Sequence, residues 1–509
     1  MITKNMSSLS KLFTISFFVF FLLVGLLLIT LYSASQRQDT RSRAATSDVR
    51  VTYYVSTKGA DTNPGTLEAP FRTIGQAALI VNPGDTVLIR EGTYNQALKI
   101  RRSGTVKGRI TFKNYPDETV VIDGVGISLN YFDSLVSIGT TSLRVDFITL
   151  SGITIQNSTA TAINVRGNYN QLEKLKVVNS HARAVDFEGS TYSSLANSEV
   201  TNNVRCNENG KSGCNNSLTW PVTTGISKSR YIKIASNKIY RNWGEGISSW
   251  RGSYQNKISG NTIFDNWSVN VYLDHADSTA VEGNFIYETE SSYIDQTSPQ
   301  RQLLANGIAI ADEVYTGYGC DAKNNSVRNN IIVNTRRGIS FFNYQTACGS
   351  GLKNTLVENN TIVNSWEPAI RINAGAHTAT VFRNNIFFGR PGVAVLYFDT
   401  PGDTRFTNNL FYSPSSLANQ FTWNGISYSN LAAWQSGTPA YLTNNIWAHP
   451  LFASPNSFLE TGYRILSNSP AIDAGVAGTT ADFWGARRPI DGNGDGIAKT
   501  DIGAHEYKP

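Results

Sequence analysis

One phrase recurs along the chain, an Asn followed by alternating apolar residues. It reads SNKIYRN around Asn237, GNTIFDN around Asn261, GNFIYET around Asn284 and RNNIIVN around Asn330. It returns as ENNTIVN around Asn360, RNNIFFG around Asn385, TNNLFYS around Asn409 and TNNIWAH around Asn445. The steps between these Asn residues are 24, 23, 46, 30, 25, 24 and 36. The repeat is therefore about 24 residues long, and the step of 46 is either two repeats or one with an insertion. A second phrase keeps the same beat in Gly225-Ile226, Gly246-Ile247, Gly307-Ile308, Gly338-Ile339 and Ala369-Ile370. Each beat is a short stretch of period two bounded by Gly and Asn, the pattern of a strand.

A fixed period in the twenties means a solenoid, because no unit can bury its apolar face alone. Helical repeats are excluded by the β-branched, Asn- and Gly-punctuated units, and a leucine-rich solenoid by the lack of a Leu framework. An all-β parallel β-helix remains, with coils about 4.8 Å apart. Asn residues at equivalent turns then bond to their copies above and below. The 49 Asn and 42 Gly residues fit this reading, and 40% hydrophobic content excludes a disordered chain.

The net charge of +6 overstates any basic character. Six of the basic residues fall in residues 1–50; residues 51–509 hold 38 basic against 36 acidic. No basic face emerges, so nucleic acid is not an expected partner. Leu12–Tyr32 is uncharged and apolar over 21 residues, enough to cross a bilayer. The expectation is a cytoplasmic tail (1–11), an uncleaved transmembrane signal anchor (12–32), a linker (33–50) and an extracellular domain at the cell membrane. Cleavage near Ser33-Ala34-Ser35 would secrete that domain instead. Cys206 and Cys214 bracket a polar loop, and Cys320 and Cys348 flank one repeat. Two disulfides or four buried thiols are both compatible with that spacing, and four Cys allow three pairings.

The passage YYVSTKGADTNPGTLEAPFRTIGQAALIVNPGDTVLIREGTYNQALKI (53–100), followed by VVIDG (120–124), resembles the opening of pectate-lyase-like right-handed parallel β-helix proteins. The resemblance implies a β-helix over 51–455 with an N-terminal cap helix at about 71–81. SNSPAIDAG (467–475) and RRPIDGNGDGIAKTDIGAHEY (487–507) are similar to a terminal module of exported bacterial β-helix proteins. Residues 456–509 are therefore expected to close the other end. Within them Asp491, Asn493 and Asp495, followed by Gly496, have the spacing of a calcium loop, and Asp501 stands near the usual place of its acidic ligand. A Gly-rich turn with solvated carboxylates is the alternative.

Aligning the coils on inward Ile163, Val185, Ile226, Ile247, Val271, Ile308, Ile339 and Ile370 places alternate residues outward. The central coils then gather Glu245, Trp250, Arg251, Tyr272, Asp274, His275, Asp312 and Glu313 on one face, with Arg371 further along. His181, Arg183 and Asp186 form a second, weaker cluster. Trp250 and Tyr272 offer platforms for sugar rings. For the resembled family, the expected reaction is a polysaccharide lyase acting on uronate-containing glycans. Ca²⁺ would neutralise the sugar carboxylate, and Arg251 or His275 would act as base. Asp274 with Asp312 or Glu313 would serve a hydrolase. A non-catalytic, adhesin-like glycan binder is the rival, and the same polar residues could simply cover a solvated sheet. Insertions at 202–221, 288–303 and 315–325 would wall the groove of a monomer.

Overall fold

The computed structural model describes residues 50–130, 133–210, 214, 220–289, 304–313, 317–320, 322–343 and 348–509. The expected anchor at 12–32 lies outside the described residues. Among those described, no helix is long and apolar enough to cross a membrane. Residues 51–509 form one compact unit.

That unit is a parallel β-helix. Among the described residues its strands fall into three sheets of 14, 13 and 13 strands, one strand of each coil going to each sheet. Sheet 1 begins at Thr52–Val55, sheet 2 at Gly92–Tyr94 and sheet 3 at Leu98–Ile100. Neighbouring coils pair in parallel and residue for residue. Ile239, Ile263, Ile286, Ile332, Ile362, Phe387 and Phe411 make one inward stack, all fully buried. Outside, the same register stacks Phe147, Tyr169, Tyr192 and Tyr231 face to face.

The recurring Asn phrase is the turn between sheets 1 and 2. Asn237, Asn261, Asn284, Asn330, Asn360, Asn385, Asn409 and Asn445 form a buried ladder. Each Nδ2 donates to the Oδ1 of the next at 2.9–3.0 Å. The same oxygen accepts the backbone N–H of the preceding Asn. The residue before each rung is left-handed, as at Asn329 (φ 51°) and Asn384 (φ 55°). Asn tolerates that conformation better than most residues, hence the Asn-Asn doublets. Asn284 bonds directly to Asn330, so the 46-residue step is one coil with insertions.

The N-terminal cap is α1 (Ile74–Ile80), shorter than expected. Phe71 still bridges to Val55, and Asp61 accepts the N–H groups of Arg72 and Thr73. Thr73 Oγ1 then caps the helix by accepting from Gln76 N. At the other end the core is closed by α2 (Leu431–Gly437), capped by Asn430. Its Trp434 is fully buried, 4.8 Å from the Phe421 ring and 5.5 Å from that of Phe406.

The C-terminal segment does not close that end. It lies along the outer face of sheet 2, where Phe264, Phe285, Tyr287, Ile331, Val333, Val363, Ile386 and Leu410 pack against Phe452, Tyr463, Ile465, Ile472 and Ile502. Left-handed Asn residues reach out to hold it. Asn329 donates to Ala481 O, Asn359 to Asp501 O, Asn384 to Val476 O and Asn408 to Ala474 O. The outward apolar residues of six coils need this cover, whereas α2 already supplies the end. The cysteines pair as Cys206–Cys214 and Cys320–Cys348.

Candidate active site

Most strands of the solenoid are three or four residues long. In the middle of sheet 3 they lengthen to six in Val222–Ser227, Glu245–Trp250 and Val269–Asp274, and to seven in Asn306–Asp312. Here the expected register holds with one correction. Ser248, Tyr272, Ala309, Ser340 and Arg371 occupy one outward column. Thr224, not Ile226, pairs with Ile247, so Gly225 joins that column in place of Ser227. The Gly225-Ile226 phrase mimics Gly246-Ile247 but sits two residues further along its strand. The column needs glycine there: a Cβ would lie 2.5 Å from Asp186 Oδ1 and 2.9 Å from the Trp250 ring. Asp186, one rung before Gly225, accepts from Arg183 Nη1 at 3.0 Å. The Arg183 guanidinium lies 5.1 Å from the Trp250 ring centroid. Arg183 and Asp186 of the weaker cluster thus adjoin the central one.

A cleft opens on this face, lined by Arg183, Trp220, Val222, Glu245, Ser248, Trp250, Arg251, Tyr272, Asp274 and Glu313. Six of these are residues singled out in the sequence for the central coils. Glu245 is 2% exposed. Its Oε1 accepts from Trp220 Nε1 at 2.8 Å and its Oε2 from Ser248 Oγ at 2.6 Å. Burial, helped by the nearby carboxylates of Glu313 and Asp274, pushes its pKa up to about 8 against the two hydrogen bonds. Glu245 therefore carries a proton at neutral pH. Tyr272 OH donates to Glu313 Oε1 at 2.6 Å, and burial holds that phenol well above its usual range. Glu313 N donates to Asp274 Oδ1 at 2.9 Å. Asp274 Oδ2 is buried with no hydrogen-bond partner among the described residues.

Three expected residues, Asp312, His275 and Arg371, do not line the cleft. Asp312 follows the outward Ala311, so alternation turns it away from the cleft face. It is fully buried and accepts from Ala322 N at 2.9 Å and Ser350 Oγ at 3.1 Å. Burial raises its pKa, opposed by these bonds and by His275. His275 occupies a left-handed turn (φ 51°), fully buried, its Nδ1 2.8 Å from Asp274 Oδ1. His275 thus adjoins Asp274 of the cleft lining. Arg371 stands three rungs from Tyr272 along sheet 3.

Trp220 and Ser248 were not singled out in the sequence. Trp220 ends the insertion between sheets 2 and 3, and its indole lies 5.7 Å from that of Trp267. The length of that insertion was the available signal, although no periodicity marks which of its residues reaches back over the sheet.

The side chains of the expected calcium loop hold its own turns. Asp491 accepts from Gly494 N and Gly496 N, Asn493 from Asp495 N, and Asp495 from Ile497 N, all at 2.8–2.9 Å. Asp501 turns inward to the N–H groups of Asp473 and Tyr507, and burial lifts its pKa to about 7. Among the described residues no three His, Cys, Asp or Glu side chains form a group that could hold a metal ion. That holds for the central cluster as well.

Residues 53–216 match the family described as Pel9A-like, right handed beta helix region, and residues 226–388 match the one described as periplasmic copper-binding protein (NosD). The chain is a right-handed parallel β-helix repeat protein, similar over residues 53–216 to the Pel9A-like family. An uncharacterized Bacillus subtilis protein, YwoF, is 26% identical over 456 residues, covering 82% of this chain and 91% of that protein. Pectate lyase PEL9 of Emericella nidulans is 37% identical over 73 residues, 14% of this chain and 18% of that protein. Among solved structures, pectate lyase Pel9A superposes with a TM-score of 0.52 at 16% identity, covering 91% of this chain and 97% of that one. XylC in complex with xylose gives 0.53 at 15% identity, covering 89% and 98%. At these identities the likeness is one of fold.

Proposed function

We propose that residues 51–509 cleave a glycosidic bond of a polysaccharide in the cleft on sheet 3, with Glu245 as proton donor. One observation carries this reading. Glu245 is buried, its pKa raised to about 8, while Asp274, on the next coil level with Trp250, keeps a carboxylate oxygen without a partner. Two carboxyl groups lining one cleft can divide the work of acid and base. Glu245 protonates the leaving oxygen, and Asp274 activates water or stabilises the positive charge developing on the sugar. Trp220 and Trp250 offer rings to the sugar faces. The xylose bound to XylC and the names of the pectate lyases support a glycan as substrate.

A second reading, β-elimination on a uronate-containing glycan, is favoured by the Pel9A-like match and by Arg183 and Arg251 in the cleft. The products separate the two. Hydrolysis releases reducing ends alone, whereas β-elimination also releases an unsaturated, ultraviolet-absorbing product. Purified protein is incubated with neutral and uronate-containing polymers and both signals are followed. Reducing ends without unsaturation are expected. Glu245→Gln lowers the rate by about 100-fold or more, and the wild-type rate declines above about pH 8 as Glu245 ionises. Folded protein inactive on every polymer sinks the catalytic reading and leaves glycan binding.

A further inference from the structure

The turns that lead from sheet 3 into sheet 1 keep a column of their own. Asn168, Thr191, Arg230 and Tyr254 bridge one to the next, and the line continues to Thr378. The residue after each bridge is left-handed, with φ between 47° and 56°. Tyr169, Tyr192 and Tyr231 come first in this column, and Phe147 (φ 58°) holds the same place one coil earlier. Gln255, Ser278, Asn324, Asn354 and Ala379 follow on the later coils. A left-handed backbone suits Asn and disfavours a large side chain. The later coils keep to that preference with polar or small residues, whereas the first four carry aromatic rings. Those rings stack face to face, their centroids 4.7, 5.1 and 4.5 Å apart. They are not core residues: Tyr169, Tyr192 and Tyr231 are 41, 48 and 36% exposed. Neither the turn nor the interior therefore accounts for them.

Stacking covers the ring faces and leaves a straight strip of ring edges and phenol hydroxyls, one ring to each coil. Tyr254 ends the strip. Its ring meets Tyr231 edge-on at 6.4 Å, and it stands on the coil that supplies Trp250 and Arg251 to the cleft. A polymer that fits must be extended, repeat at the coil spacing and offer both C–H groups and hydroxyls at every repeat. An extended peptide repeats its side chains about every 6.6 Å and falls out of step with coils about 4.8 Å apart. One sugar of a β-(1→4)-linked pyranose chain advances about as far as one coil, and an α-linked chain that coils leaves the line. We propose that Phe147, Tyr169, Tyr192 and Tyr231 form a second glycan-binding site that holds an extended β-(1→4)-linked main chain, one sugar to a ring. A chain held there arrives at Tyr254, beside the cleft. This rests on the reading of the cleft as a site of glycan cleavage and names the substrate class.

The test is co-sedimentation of the full chain carrying Glu245→Gln, which leaves the polymer intact, with insoluble arabinoxylan, with starch granules or with vesicles of phosphatidylcholine and phosphatidylglycerol. Arabinoxylan depletes the protein from solution and starch does not. Replacing Tyr169, Tyr192 and Tyr231 together by Asn, the residue the column itself uses at 324 and 354, lowers the apparent affinity for arabinoxylan by about tenfold or more. Because Asn suits the left-handed turn, the variant melts no lower than its parent. Tyr192→Asn alone weakens binding by about threefold and decides the matter if the triple variant does not fold. No depletion by arabinoxylan, equal depletion by starch, or a folded triple variant that binds arabinoxylan as before overturns the site, and a lower melt with unchanged binding makes the stack a structural feature. A triple variant that loses vesicle binding and keeps arabinoxylan binding assigns the strip to a lipid surface and overturns the glycan. Binding is read with Glu245 silenced, so a failure of the catalytic reading does not alter this result.

Discussion

At the scale of single residues, the Asn ladder explains why this sequence announces its fold. Each ladder Asn bonds to the coils on either side, so no rung can be exchanged without leaving its neighbours unpaired. Asn330 donates to Val281 O and Asn360 Oδ1 and accepts from the backbone and side chain of Asn284. Asn330→Ala leaves these groups buried and unmatched, and is expected to cost about 3 kcal/mol or more. Asn354→Ala removes an exposed left-handed Asn (φ 47°) bonded only to Asn324 Oδ1, and is expected to cost about 1–2 kcal/mol. Denaturant midpoints rank the two, and faster exchange at the Asn284 amide localises the first. Equal losses contradict the ladder's role. The site is written less plainly. Trp250, Tyr272 and Asp274 were legible because alternation in a strand is rigid, whereas Glu245, of the same parity as the inward Ile247, reaches the cleft because alternation breaks at Gly246, whose Cβ would also meet the core at Ile263. Asp312 was misplaced because it lies one residue past the outward Ala311. Trp220 was invisible because an insertion has no period.

At the scale of elements, the inward stack, the strand positions and the presence of an N-terminal cap followed from period and alternation. The register of Val222–Ser227 did not. The Gly-Ile phrase there satisfies the local pattern in two frames, and only the Trp250 ring lying over Gly225 selects one of them. The second cap, α2, also escaped notice, because seven residues carry too little periodicity to stand out. Its function is nevertheless defined by Trp434, which plugs the last coil against Phe406, Phe411 and Phe421. Trp434→Ala leaves a large cavity there and should cost about 3–5 kcal/mol. In a solenoid that loss stays close to its origin. Amide exchange is expected to rise in strands Phe421–Trp423 and Arg405–Thr407 and to remain slow in strands Glu245–Trp250 and Val269–Asp274. Uniform loosening along the chain contradicts the assignment of α2 as a local plug.

At the scale of the whole unit 51–509, two long faces of one solenoid are used in opposite ways. Sheet 3 turns polar and aromatic groups outward along its central coils, almost wholly buried around a cleft, while sheet 2 turns a continuous apolar stripe outward and hides it under the C-terminal segment. Sequence resemblance pointed to that segment as an end closure. Its position on the flank depends on outward residues such as Phe285, Ile331, Val363 and Ile386, whose burial the strand pattern alone does not require. Removing residues 448–509 uncovers this stripe and strands the side chains of Asn359, Asn384 and Asn408. An exposed apolar surface running over six coils drives association. The shortened chain is expected to bind a hydrophobic dye and to sediment as oligomers, where the full chain does neither. Because the cleft lies on another sheet, cleavage per folded molecule should persist. A shortened chain that stays monomeric and dye-free would mean that sheet 2 needs no cover. One that loses cleavage while its far-ultraviolet spectrum is unchanged would mean that the flank segment reaches the chemistry of sheet 3 through the core between them.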